Sequence, residues 1–242
     1  MNDHELARKL ARETGTLLMG LRNHAASLTG GEDETHSVLA EEVLGSEGDR
    51  VAHDYLMDQF SIHRPSDVVL SEEGDLEVAR LNATRVWIID PLDGTAQYST
   101  GGSPNPSQIS VASVAVPARN ELWSMDEPVQ RYQPNNTPIR ILVSRSRPPR
   151  EIPAVIKKLE ATFPERGPVE VIPMGSVGAK VGAILADKAD VYFNSGGFYE
   201  WDLAAPLGIA VHNGLSVTDC SGNPIELNKV NLKVNDILLE TK

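Results

Sequence analysis

The sequence predicts a layered α/β protein, and three observations carry that reading. Helix-type and strand-type patterns alternate along the chain. The most strand-like run, Val86-Trp87-Ile88-Ile89, drives straight into Asp90-Pro91-Leu92-Asp93-Gly94, which cannot continue a strand. At 242 residues the chain can bury a full core, as one domain or two small lobes.

The elements follow in order. Leu6, Leu10, Leu17, Leu18 and Leu21 form an amphipathic stripe that predicts a helix over residues 4–26. Gly30-Gly31-Glu32-Asp33-Glu34-Thr35 is a polar loop, read as solvated surface or as a lid. A second helix is expected over 49–62, with Val51, Tyr55 and Phe60 as buried candidates. Strands are expected at 68–70, 85–89, 109–116, 121–125 and 139–143. A helix over 148–161, a strand at 169–172 and a helix over 176–186 come next. The chain closes with a strand at 190–193, a helix over 202–212 and a strand at 215–218. The Pro- and Asn-rich stretch 130–138 is the expected boundary between an N-terminal α+β lobe (1–130) and a C-terminal α/β lobe (131–242).

Composition narrows the function. A net charge of −12 and a pI near 4.9 argue against nonspecific binding to nucleic acid polymers or anionic membranes. No run of 18 apolar residues is present. The polar, acidic start Met1-Asn2-Asp3-His4-Glu5 is unlike a secretory leader. Cys220 is the only cysteine, which leaves no intrachain disulfide and no Cys-based zinc site. The composition is that of a cytoplasmic protein. The six histidines show no metal-ligand spacing, and His53 and His63 have no partner legible in the sequence.

Three separate elements present a carboxylate at one end. Val68-Val69-Leu70-Ser71 runs into Glu72-Glu73, the second strand into Asp90 and Asp93, and Asp202 stands at the start of an Ala-rich helix. Asp-Pro and Asp-Gly are ordinary turn dipeptides, but carboxylates gathered from three elements are how a cage for a hard divalent cation is built. Asp49, after Ser46-Glu47-Gly48, reads equally as a helix N-cap. Lys180 lies one turn beyond Ser176 on the same helix face. Trp201 reads as packing rather than as a platform for a base.

Glu72-Glu73, Asp90-Pro91-Leu92-Asp93-Gly94-Thr95 and Trp201-Asp202-Leu203-Ala204-Ala205 stand in an order and spacing that resemble the magnesium-dependent, lithium-sensitive phosphatases related to inositol monophosphatase. The likeness runs from about Leu6 to about Glu240. It is strongest to the actinobacterial CysQ-type branch, which removes the 3′-phosphate from 3′-phosphoadenosine 5′-phosphate. Ser71-Glu72-Glu73, Ala118-Arg119, Ser144-Arg145-Ser146-Arg147-Pro148-Pro149, Gly175-Ser176-Val177-Gly178-Ala179-Lys180 and Gly196-Gly197-Phe198-Tyr199-Glu200-Trp201-Asp202 carry it.

The resemblance implies an αβαβα sandwich of the sugar-phosphatase type and two or three magnesium ions. One ion would be held by Glu72, Asp90 and the Leu92 carbonyl, and a second by Asp90, Asp93 and Asp202, with a looser third near Glu72. Asp49 and Thr95 would deprotonate the attacking water, and Glu73 would orient the ligands. The amides of Asp93, Gly94 and Thr95 would hold the reacting phosphate, Ser176 and Lys180 the nucleotide, and Arg147 its 5′-phosphate. Most metal ligands then fall in the first lobe, and Asp202 and the substrate contacts in the second. One segment departs from the family: after Thr95, relatives carry a long apolar strand where this chain has Tyr98-Ser99-Thr100-Gly101-Gly102-Ser103-Pro104-Asn105-Pro106-Ser107. Either residues 109–116 take that position or the first sheet is one strand short.

The implied reaction is hydrolysis of 3′-phosphoadenosine 5′-phosphate to AMP and phosphate. An inositol monophosphate or fructose 1,6-bisphosphate phosphatase is the alternative within the class. A degenerate relative that binds nucleotide or metal without turnover is the alternative outside it. The expected partner is a small phosphate ester, with no nucleic acid polymer and no membrane; relatives are often dimers, so the resemblance allows a homodimer, though no interface is legible in the sequence.

Overall fold

A computed structural model describes residues 1–29, 34–74, 78–92, 97–100, 108–129 and 138–241, with the backbone alone described for 28, 29, 34–42 and 97–100. The first helix, α1 (Asp3–Thr29), opens on a reciprocal cap: Glu5 N–H donates to Asn2 Oδ1 at 2.8 Å and Asn2 N–H to Glu5 Oε2 at 2.9 Å. Its apolar stripe is buried at Leu6 and Leu10, the polar Thr14 continues the buried face, and Leu17 is 38% exposed. Gly15 lets this helix pass close to Pro117, because a Cβ there would stand 2.7 Å from Pro117 Cγ.

The second helix, α2 (Glu34–His63), begins well before the expected residue 49. Asp49 therefore lies inside a helix, and the N-cap reading is overturned. Of the polar segment 30–35, residues 30–33 lie outside the described residues, and Glu34 and Thr35 belong to α2. Ala52, Leu56 and Phe60 form the buried stripe of α2, spaced i, i+4, i+8, while Val51 and Tyr55 are half-buried beside it.

Five strands build the first sheet in chain order: β1 (Val68–Ser71), β2 (Val86–Asp90), β3 (Gln97–Thr100), β4 (Val111–Val116) and β5 (Glu121–Ser124). β1 and β2 are parallel and the remaining neighbours antiparallel. Thus the position between β2 and β4 is filled neither by residues 109–116 nor by a gap. It is filled by the four residues Gln97–Thr100, whose Ser and Thr pair through the backbone as apolar residues would. β2 and β4 are buried along their whole length because both faces of the sheet are covered. Trp87, Ile89, Val111 and Ala115 pack against Leu6, Leu10, Leu56 and Phe60 on one face, with the Phe60 and Trp87 rings 4.8 Å apart. Val86, Ile88, Ala112, Val114 and Val116 face the opposite way, as the two-residue period of a strand requires.

The second half supplies β6 (Arg140–Ser144), α3 (Ile152–Thr162), β7 (Glu170–Met174), α4 (Val177–Leu185), β8 (Val191–Asn194), β9 (Phe198–Tyr199), α5 (Glu200–His212), β10 (Ser216–Thr218), β11 (Lys233–Val234) and β12 (Ile237–Glu240). The second five-stranded sheet runs β10-β12-β8-β6-β7, and β9 with β11 make a short separate ribbon. The final strand, β12, inserts between β8 and β10, a position that the sequence did not announce. Every residue of α4, and all of α5 except its Asp202, Val211 and His212, is buried between the two sheets. α3 closes the far side, with Ile152, Val155 and Leu159 against Ile141, Val143, Val191 and Phe193. The layers are therefore α1/α2, first sheet, α4/α5, second sheet, α3: the expected αβαβα sandwich. Among the described residues no helix is long and apolar enough to cross a membrane.

Candidate active site

The parallel pairing of β1 with β2 matches Ser71 to Ile89, and Glu72 N–H reaches Ile89 O at 3.4 Å. Glu72 and Asp90 consequently leave the same edge of the sheet side by side. Asp90 is fully buried, and its Oδ1 accepts the Leu92 N–H at 3.1 Å, closing the turn that starts at Pro91. Asp90 thus serves as a turn residue and as a buried carboxylate at the sheet end. Glu72 and Glu73 are exposed. Asp49 approaches the same edge from α2: burial raises its carboxyl to about 6, and the charge of Glu73 adds to the shift. Asp93, Gly94 and Thr95 lie outside the described residues.

The remaining candidates converge on one cavity of about 150 Å³, lined among others by Arg147, Ser176, Lys180 and Asp202. Ser176 caps α4, its Oγ accepting the Ala179 N–H at 3.2 Å, from a backbone held at φ 52° and ψ 132°. A non-glycine residue in that region is strained, and such strain concentrates at functional sites. Lys180 is buried: its ammonium donates to the Ser176 carbonyl at 3.1 Å and lies 4.7 Å above the Tyr192 ring. Arg147 is exposed at the cavity mouth. Asp202, in the first turn of α5, accepts the Tyr199 N–H at 2.6 Å through Oδ2. Burial pushes its pKa up, against the lowering effects of that N–H and of the Arg147 charge.

The start of α5 is pinned from outside the cavity. Glu200 is fully buried and accepts the N–H groups of Asn228 and Lys229. The buried Arg80 donates to Asn228 Oδ1 and to the Lys229 carbonyl, tying the first half of the chain to the turn before β11. Trp201 is buried and stacks on Tyr199 at 4.7 Å, a packing role. Asn194, which the sequence did not single out, lines the cavity from the end of β8; its Nδ2 donates to the Gly196 carbonyl, and its buried Oδ1 has no hydrogen-bond partner among the described residues. Nor did the sequence suggest a partner for His53, which bonds Ser71. Polar Asn at the end of the apolar run Val191-Tyr192-Phe193 was the available signal for the former.

Among the described residues no three or more His, Cys, Asp or Glu side chains group closely enough to hold a metal. The structure brings Glu72 to Asp90 at the sheet end, and Asp202 to Arg147, Ser176 and Lys180 in the cavity. The carboxylate oxygens of Glu72 and Asp90 at the sheet end are hard donors of the kind that magnesium prefers, and the negative charge of Glu73 acts on Asp49 nearby.

A sequence model of the inositol monophosphatase family matches residues 3–241. The chain belongs to the inositol monophosphatase family. Enzymes of this family hydrolyse phosphate esters and are generally magnesium-dependent. A 3′-phosphoadenosine 5′-phosphate phosphatase of Mycobacterium tuberculosis is 36% identical over 81% of this chain and 77% of its own length. A second of that name, from Mycobacterium leprae, is 33% identical over 99% of this chain and 89% of its own length. Among solved structures, CysQ of Bacteroides thetaiotaomicron superposes with a TM-score of 0.77 at 22% identity, covering 99% of this chain and 97% of that one, which supports the family fold.

Proposed function

We propose that the chain is a magnesium-dependent phosphomonoesterase that hydrolyses 3′-phosphoadenosine 5′-phosphate to AMP and phosphate. The observation that carries this reading is the cavity in which Arg147 and the buried Lys180 share walls with Asp202. Two cationic side chains beside a metal-ligating carboxylate suit a substrate with two phosphates, one reacting and one held. The mycobacterial phosphatases of that activity, similar over most of the chain, support the substrate.

Glu72, Asp90, Asp93, Asp202 and the Leu92 carbonyl would hold two or three magnesium ions. Magnesium bound there supplies neutralisation of phosphate charge and orientation of the ester. The amides of Asp93, Gly94 and Thr95 cradle the 3′-phosphate, and Glu73 orients Glu72. Asp49, with the Thr95 hydroxyl, takes the proton from the attacking water. The water oxygen bonds to phosphorus as the bond to the ribose 3′-oxygen breaks, and that oxygen leaves as the hydroxyl, protonated by a solvent water whose hydroxide then takes back the proton held by Asp49. Arg147 holds the 5′-phosphate while Lys180 and Ser176 hold the nucleotide. The first lobe, 1–130, would supply most of the metal ligands, and the second, 131–242, Asp202 and the substrate contacts. A cytoplasmic location and a homodimer complete the reading, checked by fractionation and light scattering.

The test is phosphate release from 3′-phosphoadenosine 5′-phosphate with and without magnesium, beside inositol 1-phosphate and fructose 1,6-bisphosphate. Magnesium-dependent release favouring the nucleotide is expected, and Lys180→Ala should weaken the nucleotide selectively. Preference for either sugar phosphate would overturn the substrate. No release from any of the three by folded protein would overturn the enzyme.

A further inference from the structure

We infer that His53 is a positioning residue for Glu72, acting through the hydroxyl of Ser71. The inference rests on the reading of Glu72 as a metal ligand. His53 lies on α2 one helical turn beyond Asp49, and its Nδ1 shares a hydrogen bond of 2.9 Å with Ser71 Oγ. Ser71 is the last residue of β1 and is 2% exposed, while Glu72, directly after it, is exposed.

The turn that carries it is held at three points. Glu72 N–H donates to Ile89 O at 3.4 Å, and Gly74 N–H donates to Ser71 O at 3.2 Å. The third point is the imidazole. It bonds Ser71 and packs along the turn, so that a Cβ at Gly74 would stand 3.5 Å from His53 Cε1 and 3.4 Å from Ser71 Cβ. Only this third point comes from α2, the helix that also carries Asp49. The His53–Ser71 bond thus sets Glu72 in register with Asp49, across 18 residues of sequence.

Removing a group that orients a metal ligand typically costs about 10–100-fold in metal affinity. The experiment titrates magnesium into the protein and follows melting temperature alongside turnover of the nucleotide. His53→Ala and Ser71→Ala should each raise the magnesium concentration for half the stabilising shift by about tenfold. The double variant should lose no more than either single one, because both remove the same bond. His53→Asn places an amide where Nδ1 stands and should recover most of the loss. Melting in EDTA reports packing separately. An unchanged magnesium midpoint in His53→Ala and Ser71→Ala would overturn the inference, as would independent, additive losses in the double variant. If the wild type responds to magnesium but does not turn over the nucleotide, the substrate reading fails and the role of His53 stands. A wild type that ignores magnesium overturns both.

Discussion

Two acidic corners of this molecule are built in opposite ways. At the start of β8, Asp190 is 6% exposed and ringed by cations of the chain itself. Its Oδ2 accepts the Arg140 backbone N–H at 2.9 Å and Arg140 Nε at 3.0 Å, and its Oδ1 accepts Arg166 Nη2 at 3.3 Å. Burial alone would raise the Asp190 pKa, but the Arg140 hydrogen bonds and the two guanidinium charges outweigh it and hold the carboxyl low. Near the edge of the first sheet, burial drives the Asp49 carboxyl up to about 6, and the like charge of Glu73 adds to the shift. Glu72 and Asp90 leave the same edge. One corner is completed by the fold, and on the proposed reading the other is completed by magnesium. Buried charge marks both, so the sign of the neighbours, more than burial, separates a structural carboxylate from one awaiting a metal.

The sharpest way to break this contrast is to neutralise one aspartate at each corner. Asp90→Asn should lower turnover by about 10³-fold or more, since metal stabilisation of the transition state is worth several kcal/mol. The metal-free variant should melt no lower than wild type, because a carboxylate is removed from among carboxylates. Steady-state kinetics with melting in EDTA checks both, and an active Asp90→Asn enzyme would sink the metal reading. Asp190→Ala should do the reverse. Leaving Arg140 half-buried without its counterion should cost about 3–5 kcal/mol in urea unfolding, with kcat of the folded protein unchanged.

Acid separates the corners again. The folded pKa of Asp190 is depressed, so its contribution to stability is present above the unfolded aspartate value, near 3.8, and is lost as pH falls through the folded value. Urea midpoints of wild type and Asp190→Asn should therefore differ at pH 7 and converge as pH drops below about 4. A gap that persists unchanged into strong acid would show that the Arg140 contacts act by shape rather than by charge.

Local pattern made much of this legible. Val86–Asp90 and Val68–Ser71 read as strands from their residues, and Arg147, Ser176, Lys180 and Asp202, chosen from three separate motifs, line one cavity. What stayed hidden depends on partners distant in sequence. β3 is Gln, Tyr, Ser and Thr, too short and polar to stand out as a central strand, and its place is set by the ladders that β2 and β4 offer on both sides. β12 is apolar enough for a strand, but its place between β8 and β10 is a tertiary choice. His53 looked idle because Ser71 is 18 residues away and on another element. Asn194 gave only a polar residue after an apolar run, and the cavity that gives it meaning comes from β6, α4 and α5.

The smallest expected effect tests the boundary between the corners. Arg147 stands at the cavity mouth, near enough to Asp202 to lower its pKa, yet exposed to solvent. If it served as the counterion of Asp202, as Arg140 does for Asp190, its removal would destabilise the fold. An exposed guanidinium is screened and contributes little to stability, about 0–1 kcal/mol. Its value lies instead in a second phosphate, for which it offers a forked pair of donors. Arg147→Ala should leave the melting temperature within about a degree or two of wild type. It should raise KM for 3′-phosphoadenosine 5′-phosphate by about tenfold, the equivalent of one charge-assisted hydrogen bond, and leave kcat and the KM for inositol 1-phosphate nearly unchanged. Equal losses on both substrates would place Arg147 at the reacting phosphate. A large fall in stability would make it the protein's own cation for Asp202, and the contrast between the two corners would then be one of degree.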